Sequence, residues 1–172
     1  MPDMTRAEAV EFLAAGTRPG KLATCAYGRS ARSRAEVHGR SASSRAEVHG
    51  RSASSRAEAP SPHVAPIWFV VDGDDLVFTT GERTVKGRSL LADPRAALCV
   101  DTDVFPYSFV IVRGPVTLDR AAPDLVEWST RIAARYVPAE KAQWYGERNG
   151  VPGEMLCRLR MQRVIAERDI AL

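Results

Sequence analysis

The chain has 172 residues, 45% hydrophobic and 26% charged, which is typical of one folded domain and argues against wholesale disorder. No apolar run approaches the roughly 20 residues of a membrane helix, and the N-terminus carries charges where a signal peptide would be apolar, so we expect a cytoplasmic protein with no membrane partner. The net charge of +3 comes from residues 29–61, which hold seven Arg and three Glu; the other 17 basic and 18 acidic residues give no sign of nucleic-acid binding.

The N-terminal residues predict a short helix followed by a strand. Thr5 and Glu8 have the spacing of a capping box, apolar side chains follow, and Gly16 ends the helix. Residues 22–26 are rich in apolar and β-branched side chains and predict the first strand.

An eleven-residue repeat occupies residues 29–61 in three copies, the first of which reads RSARSRAEVHG. The first two copies each contain one large apolar residue, Val37 or Val48, which is too little to stabilise a helix or a solenoid. We therefore predict an inserted mobile loop at the tip of a hairpin. An arm for anionic partners and a metal site at His38 and His49 are weaker alternatives, because tandem duplication alone explains the spacing of the histidines.

Beyond the repeat the pattern predicts mostly strands. They are predicted at residues 64–71, 76–80, 96–100, 109–118 and 155–161, with an interruption at Gly114 and Pro115. Helices are predicted at residues 84–91, from about 123 to 136, and from 138 to about 148. The sequence thus predicts a single mainly β domain, residues 1–172, in which about six strands form a closed antiparallel barrel with peripheral helices.

Several kinds of site are not indicated by the sequence. Cys25, Cys99 and Cys157 lie far apart in apolar stretches, so we predict buried reduced thiols in place of a disulfide or a metal site. There is no nucleophile elbow, no HExxH metal motif and no phosphate-binding glycine loop. A hydrolase triad would have to use His63, which at a strand start is more simply structural.

The most informative stretch is FTTGERTVKGRSLLADPRAALCV, residues 78–100. Two threonines end a predicted strand, and a lysine, an arginine and a serine follow at the start of a short helix: Thr79, Thr80, Lys86, Arg88 and Ser89. Hydroxyls, unpaired backbone N–H groups and cations gather around phosphate groups in such places. Composition alone favours the simpler interpretation that the cations lie on a solvated helix face.

This stretch resembles the pyridoxamine 5′-phosphate oxidase-like split-barrel family, and it is most similar to the F420-dependent branch. The segments that carry the resemblance are GKLAT, PHVAPIWFVVDGDDLVFTTG, TVKGRSLLADPRAALCVD and PYSFVIVRG. The resemblance extends from about Leu13 to the last strand, without residues 29–61. It implies a mainly β, FMN-binding-like Greek-key split β-barrel that forms a homodimer with two cofactor sites in the interface.

The resemblance also implies which residues would bind the cofactor. Its phosphate end would be held near Thr80, Lys86, Arg88 and Ser89. Its ring would lie against the second and third strands, at Val64, Ala65, Pro66, Ile67 and Thr79. Tyr107 would approach the ring from the partner chain. Because the hydride chemistry would belong to the cofactor, no catalytic side chain is implied.

Three positions depart from the family pattern. The flavin-dependent oxidases usually have Arg where Val85 stands, which speaks against tight FMN binding. Relatives in the F420 branch often have Asn at the position of Ser89 and Glu at that of Arg113; Ser89 can still donate a hydrogen bond, whereas Arg113 stays unexplained. Three functions remain open: an F420-dependent oxidoreductase acting on a small organic substrate, an FMN- or haem-related split-barrel protein, and a cofactor-binding protein without turnover.

Overall fold

The computed structural model describes residues 3–26 and 61–171, which form eight strands and four helices. The strands are β1 (Gly20–Ala26), β2 (Ser61–Ile67), β3 (Val70–Asp72), β4 (Asp75–Gly81), β5 (Arg95–Asp101), β6 (Phe109–Asp119), β7 (Glu154–Arg160) and β8 (Arg163–Glu167). The helices are α1 (Arg6–Ala14), α2 (Val85–Ala92), α3 (Leu125–Ala134) and α4 (Ala139–Asn149). None of these helices is long and apolar enough to cross a membrane.

The strands form one antiparallel sheet that curls into a half-barrel. Their order is β2, β1, β5, β6, β7, β4, β3, and β8 pairs with β6. β1 and β2 pair with Ala26 opposite Ser61, so the strands on either side of the repeat form the predicted hairpin. The end strands β2 and β3 do not pair with each other. The protein is therefore a split barrel, as predicted, and its pairing leaves it open between these two strands instead of closed.

β6 is the longest strand and contacts three neighbours. Its first half pairs with β5 and β8, its second half pairs with β7, and the change occurs at Gly114 and Pro115. The predicted interruption at these residues is wrong, because the strand continues and only its partner changes. A Cβ at Gly114 would lie 2.0 Å from the backbone oxygen of Arg160, so glycine permits the close approach of β6 to β7.

The main core lies on the inner face of the curled sheet, with α1 packed against it. Its fully buried side chains include Leu22, Phe69, Phe78, Leu98, Met155 and Leu159. α1 begins with the predicted capping box, in which Thr5 and Glu8 each accept a hydrogen bond from the other's backbone N–H, and it buries Leu13 in this core. A second cluster on the other face of β4 packs Val77 against Ile132 of α3, so β4 is buried on both faces.

The single long strand predicted at residues 64–71 is two strands, separated by Trp68 and Phe69. Two side chains just beyond α3 satisfy the backbone at this break. The Tyr136 hydroxyl accepts from the Phe69 N–H at 3.2 Å and donates to the Phe69 oxygen at 3.1 Å. Arg135 donates to the same oxygen at 3.0 Å. The break depends on residues far along the chain, so the local pattern could not predict it.

Other expectations also need correction. The last strand, β8, was not predicted. Of the three cysteines only Cys157 is fully buried, and burial raises the pKa of its thiol to about 12. Cys99 is half-buried and Cys25 is exposed, so burial was wrongly predicted for Cys25. Residues 27–60 lie outside the described residues, and the loop structure of the repeat stays a prediction.

Candidate functional site

A cleft of about 550 Å³ lies where two strand ends meet the start of a helix. The ends of β2 and β4, the start of α2 and the start of β7 surround it, and α3 and α4 form one side. Its lining combines hydroxyl groups, opposite charges and large aromatic rings, including Thr80, Thr84, Lys86, Glu154, Trp68 and Tyr145.

One end of the cleft contains two threonine hydroxyls beside the start of α2. Thr84 caps this helix: its Oγ1 accepts from the Gly87 N–H at 3.0 Å and donates to the Gly81 oxygen at 2.8 Å. Because the only hydroxyl proton of Thr84 goes to Gly81, the buried Thr80 hydroxyl 3.1 Å away is the donor in that pair. Both hydroxyl protons are therefore used within the chain, and the groups at this corner that suit an anion are the first N–H groups of α2.

Lys86, the second residue of α2, provides the positive charge at this corner. Its half-buried side chain lines the cleft. Among the described residues, no carboxylate oxygen lies within 4 Å of its ammonium nitrogen, so it forms no ion pair with them. α2 packs tightly on the end of β4, since a Cβ at Gly87 would lie 2.1 Å from the backbone oxygen of Gly81. This close packing holds the lysine beside the threonine hydroxyls.

Aromatic side chains form the opposite wall of the cleft. Trp68 stacks on Tyr136 with 5.2 Å between the ring centres and an interplanar angle of 4°. Tyr145 of α4 meets Trp68 edge-on at 5.5 Å, and both rings line the cleft. Arg148 also lines the cleft, with its guanidinium 5.8 Å from the centre of the Tyr145 ring. A wall of this kind can bury a flat ring system.

Two further polar side chains in the cleft are available to a ligand. Glu154 stands opposite Gly81 in the β4–β7 register and is half-buried. Burial raises the pKa of Glu154, and the nearby charge of Lys86 lowers that pKa by a smaller amount. The hydroxyl of Ser129 is buried and has no hydrogen-bond partner within the described part of the chain. Both groups can pair with hydrogen-bond donors of a ligand.

Five of the residues that the sequence analysis assigned to the cofactor line this cleft: Pro66, Ile67, Thr79, Thr80 and Lys86. Their role as cofactor ligands remains a prediction. Two others on the phosphate side lie elsewhere. Arg88 is exposed and donates to the backbone oxygen of Arg83. Ser89 is buried and donates to the Val85 oxygen at 2.8 Å, so its hydroxyl is already used within α2.

The remaining predicted residues do not line the cleft of their own chain. Val64 and Ala65 lie earlier in β2, and Val64 is 62% exposed. Tyr107 is exposed in the loop between β5 and β6. His63 is half-buried in β2 opposite Thr24 of β1 and does not line the cleft. Within residues 3–26 and 61–171 no group of three or more His, Cys, Asp or Glu could hold a metal ion.

Sequence reasoning missed several residues of the cleft. Thr84 carries a local signal, because a threonine directly before a helix is a preferred N-cap. The sequence predicts Trp68 and Phe69, together with Tyr107, as apolar surface that a partner chain covers. This is wrong for Phe69, which is fully buried in the core, and Trp68 lines the cleft. Tyr145, Arg148 and Glu154 reach the cleft only because α4 and β7 fold back against the end of β4, and nothing in the local sequence shows this.

The family model for pyridoxamine 5′-phosphate oxidase matches residues 6–166, nearly the whole chain. The chain belongs to the pyridoxamine 5′-phosphate oxidase family. No curated protein matches its sequence.

Solved structures share the fold of this pyridoxamine 5′-phosphate oxidase family member over most of its length. A conserved hypothetical protein of Mycobacterium tuberculosis is 17% identical with a TM-score of 0.65, covering 98% of this chain and 89% of that one. A structure described as an F420 reductase is 22% identical with a TM-score of 0.54, covering 90% and 94%. An FAD-binding protein of Mycobacterium smegmatis is 17% identical with a TM-score of 0.53, covering 96% and 98%. These similarities establish a common fold.

Proposed function

We propose that the chain is an F420-dependent oxidoreductase that transfers hydride between the deazaflavin and a small organic substrate. The observation that supports this most is that one cleft joins an anion-binding corner, with Lys86 at the start of α2, to an aromatic wall of Trp68 and Tyr145. A flavin-type cofactor has the two matching parts, a phosphate and a flat ring system, so the residues present fit it. Val85, where flavin-dependent oxidases usually carry Arg, favours F420 over FMN.

In this proposal the chain binds and orients, and the chemistry comes from the cofactor. A bound deazaflavin supplies two-electron hydride transfer at its ring. Lys86 and the first N–H groups of α2 hold the phosphate end, while Trp68 and Tyr145 cover the ring side and keep water away. Pro66 has no N–H, so backbone hydrogen bonds to the ring at this part of β2 come from its neighbours.

Parallel titrations with F420 and FMN, followed by fluorescence, test the proposal. We expect F420 to saturate the protein at a much lower concentration than FMN, and reduced F420 to be oxidised when a suitable organic acceptor is added. Tighter binding of FMN would identify an FMN-binding protein. Tight F420 binding with no oxidation by a broad set of acceptors would identify a cofactor-binding protein without turnover.

We also propose a homodimer with the cofactor site at the interface. Val64 of β2 and Tyr107 of the loop between β5 and β6 are exposed. Val104 and Phe105, in the same loop as Tyr107, are 71% and 61% exposed. A second copy would cover this apolar surface and bring Tyr107 towards the partner's cleft.

Light scattering of the F420-bound protein at micromolar concentration is expected to give twice the chain mass of 18.8 kDa. A stable dimer is expected because it would remove the exposed apolar side chains of Val64, Val104, Phe105 and Tyr107 from water. A monomer that still binds F420 would contradict the interface site. Tyr107→Ala should weaken F420 binding in the dimer, whereas Val126→Ala, which trims an exposed apolar side chain of α3 outside the cleft, should not.

Glu154→Gln is expected to stabilise the chain at neutral pH and to strengthen F420 binding. Burial raises the pKa of Glu154, so the folded chain holds this proton more tightly than the unfolded chain. This difference in pKa stabilises the folded chain fully at pH values below the unfolded pKa of Glu154, and the stabilisation is lost as the pH rises through the raised folded pKa. Glutamine does not ionise, so the variant does not undergo this loss. Glutamine also removes a negative charge that would repel the phosphate. The repulsion between two unit charges about 4 Å apart in water is about 1 kcal/mol, so the affinity for F420 should rise several-fold.

Urea unfolding at pH 4 and pH 7 and F420 titration at pH 7 measure these effects. The stabilisation should be larger at pH 7 than at pH 4. Glu11→Gln, at an exposed position of α1 outside the cleft, is the control and should change neither quantity. Weaker F420 binding by Glu154→Gln would show that the carboxylate accepts a hydrogen bond from the cofactor.

A further inference from the structure

Ser129 brings a buried hydroxyl without a partner to the Lys86 cleft. Ser129 and Ile132 lie three residues apart on the face of α3 that lines the cleft. Ser129 is 3% exposed, and its hydroxyl has no hydrogen-bond partner in the described part of the chain. Thr130 differs, because its hydroxyl donates to the Val126 backbone oxygen at 2.8 Å. An unsatisfied buried hydroxyl is costly, so a polar group of a ligand in the cleft would stabilise this one.

Arg148 brings a positive charge to the same cleft. Its guanidinium carbon lies 5.5 Å from the centre of the Trp144 ring and 5.8 Å from the centre of the Tyr145 ring. Both distances are typical of cation–π contacts, which hold the side chain on the aromatic wall. Among the described residues, no carboxylate oxygen lies within 4 Å of the guanidinium nitrogens. The charge of Arg148 is therefore available to an anionic ligand.

The packing of α3 on α4 places these two groups on one wall of the cleft. The helices meet where Thr130 lies against Gly146, since a Cβ at Gly146 would lie 1.8 Å from the Thr130 hydroxyl oxygen. Ser129 directly precedes Thr130, and Arg148 lies two residues after Gly146. Lys86 lies on the opposite side of the cleft, at the start of α2. A phosphate held by Lys86 therefore leaves the charge of Arg148 without a counterion.

We propose that this wall is the substrate subsite of the cleft, and that the substrate is a small organic acid with a second polar oxygen at its far end. The inference rests on the proposed function, because a substrate has to lie beside the F420 ring for hydride to pass between them. The carboxylate pairs with Arg148, whose guanidinium presents two parallel N–H donors. The far oxygen hydrogen-bonds the Ser129 hydroxyl, and the apolar body packs on Ile132.

Isothermal titration of the F420-loaded full chain with 4-hydroxybenzoate tests both contacts. The comparison ligands are 4-hydroxybenzamide, whose head is neutral, and benzoate, which lacks the far oxygen. We expect 4-hydroxybenzoate to bind about tenfold more tightly than the amide and several-fold more tightly than benzoate. Arg148→Gln should abolish the first preference, and Ser129→Ala should abolish the second. Lys141→Gln, which removes an exposed charge of α4 outside the cleft, is the control and should keep both preferences.

The same variants separate a substrate contact from a cofactor contact. Arg148→Gln should leave the affinity for F420 unchanged, because Lys86 and the start of α2 hold the phosphate. Weaker F420 binding by Arg148→Gln would assign this arginine to the cofactor and overturn the proposal. Equal wild-type affinities for 4-hydroxybenzoate and its amide would also overturn it. Displacement of F420 by 4-hydroxybenzoate would do the same, because the two ligands would then occupy one position.

Absence of F420 binding by the wild type would contradict the proposed function and not the subsite. The titrations are then repeated with the cofactor-free chain. Preferences that depend on Arg148 and Ser129 would support the subsite, and preferences that survive both substitutions would overturn it. Urea unfolding accompanies each variant. Because Arg148 is exposed, Arg148→Gln should hardly change the urea midpoint, so a lost preference reports the lost contact with the ligand.

Discussion

Lys86→Ala is expected to weaken F420 binding by roughly tenfold to a hundredfold. A charge-assisted hydrogen bond to a phosphate is worth about 1.5 to 3 kcal/mol, which corresponds to a loss of this size. The free energy of unfolding without cofactor should hardly change, because Lys86 forms no ion pair within the described part of the chain. F420 titration at low and high salt, together with urea unfolding, measures both. Affinity should fall with salt less steeply in the variant than in the wild type.

Arg83→Ala is the matched control for this experiment. Arg83 lies three residues before Lys86 and carries the same charge, but it is exposed and does not line the cleft. Its loss should reduce affinity far less than the loss of Lys86. Equal and small losses in the two variants would show that the charges act only as a diffuse field, and the phosphate would have to bind elsewhere.

Local signals predicted most of the fold. The capping box of Thr5 and Glu8, the apolar run in β4, the alternation along β7 and the helical spacing in α3 are properties of neighbouring residues, and each element formed where they indicated it. The errors lie where distant residues decide. The break at Trp68 and Phe69 needs hydrogen bonds from Arg135 and Tyr136, and the continuity of β6 needs the partner change at Gly114 beside β7.

The same distinction explains the site. The family motif predicted Thr80 and Lys86, which do lie in the cleft, and it also pointed to Arg88. Residues two apart on a helix do not share a face, so Lys86 can face the cleft only if Arg88 points away from it. The aromatic wall and Glu154 could not be predicted, because they come from elements that are distant in sequence from the motif.

Arg135→Met is expected to lower the free energy of unfolding by about 2 to 4 kcal/mol, because several backbone oxygens lose a charged donor. The Arg135 guanidinium donates to the oxygens of Leu13 at 2.6 Å, Gly16 at 2.9 Å and Phe69 at 3.0 Å. It also lies 4.5 Å from the centre of the Phe69 ring. Burial lowers the pKa of Arg135, because removal from water disfavours its charged form. Urea unfolding without cofactor measures the loss.

Arg131→Met is the control, since Arg131 is an exposed residue of α3 whose ion pair with Asp72 spans 3.7 Å and should contribute less than about 1 kcal/mol. Arg135 does not line the cleft, but its bond to Phe69 helps to hold the strand break that places Trp68 there. Arg135→Met should therefore also weaken F420 binding under conditions where the variant is fully folded, and Arg131→Met should not. A urea unfolding midpoint of Arg135→Met equal to that of Arg131→Met would contradict a structural role for the Arg135 hydrogen bonds. Unchanged F420 affinity of Arg135→Met would show that the strand break at Trp68 and Phe69 keeps its shape without these bonds.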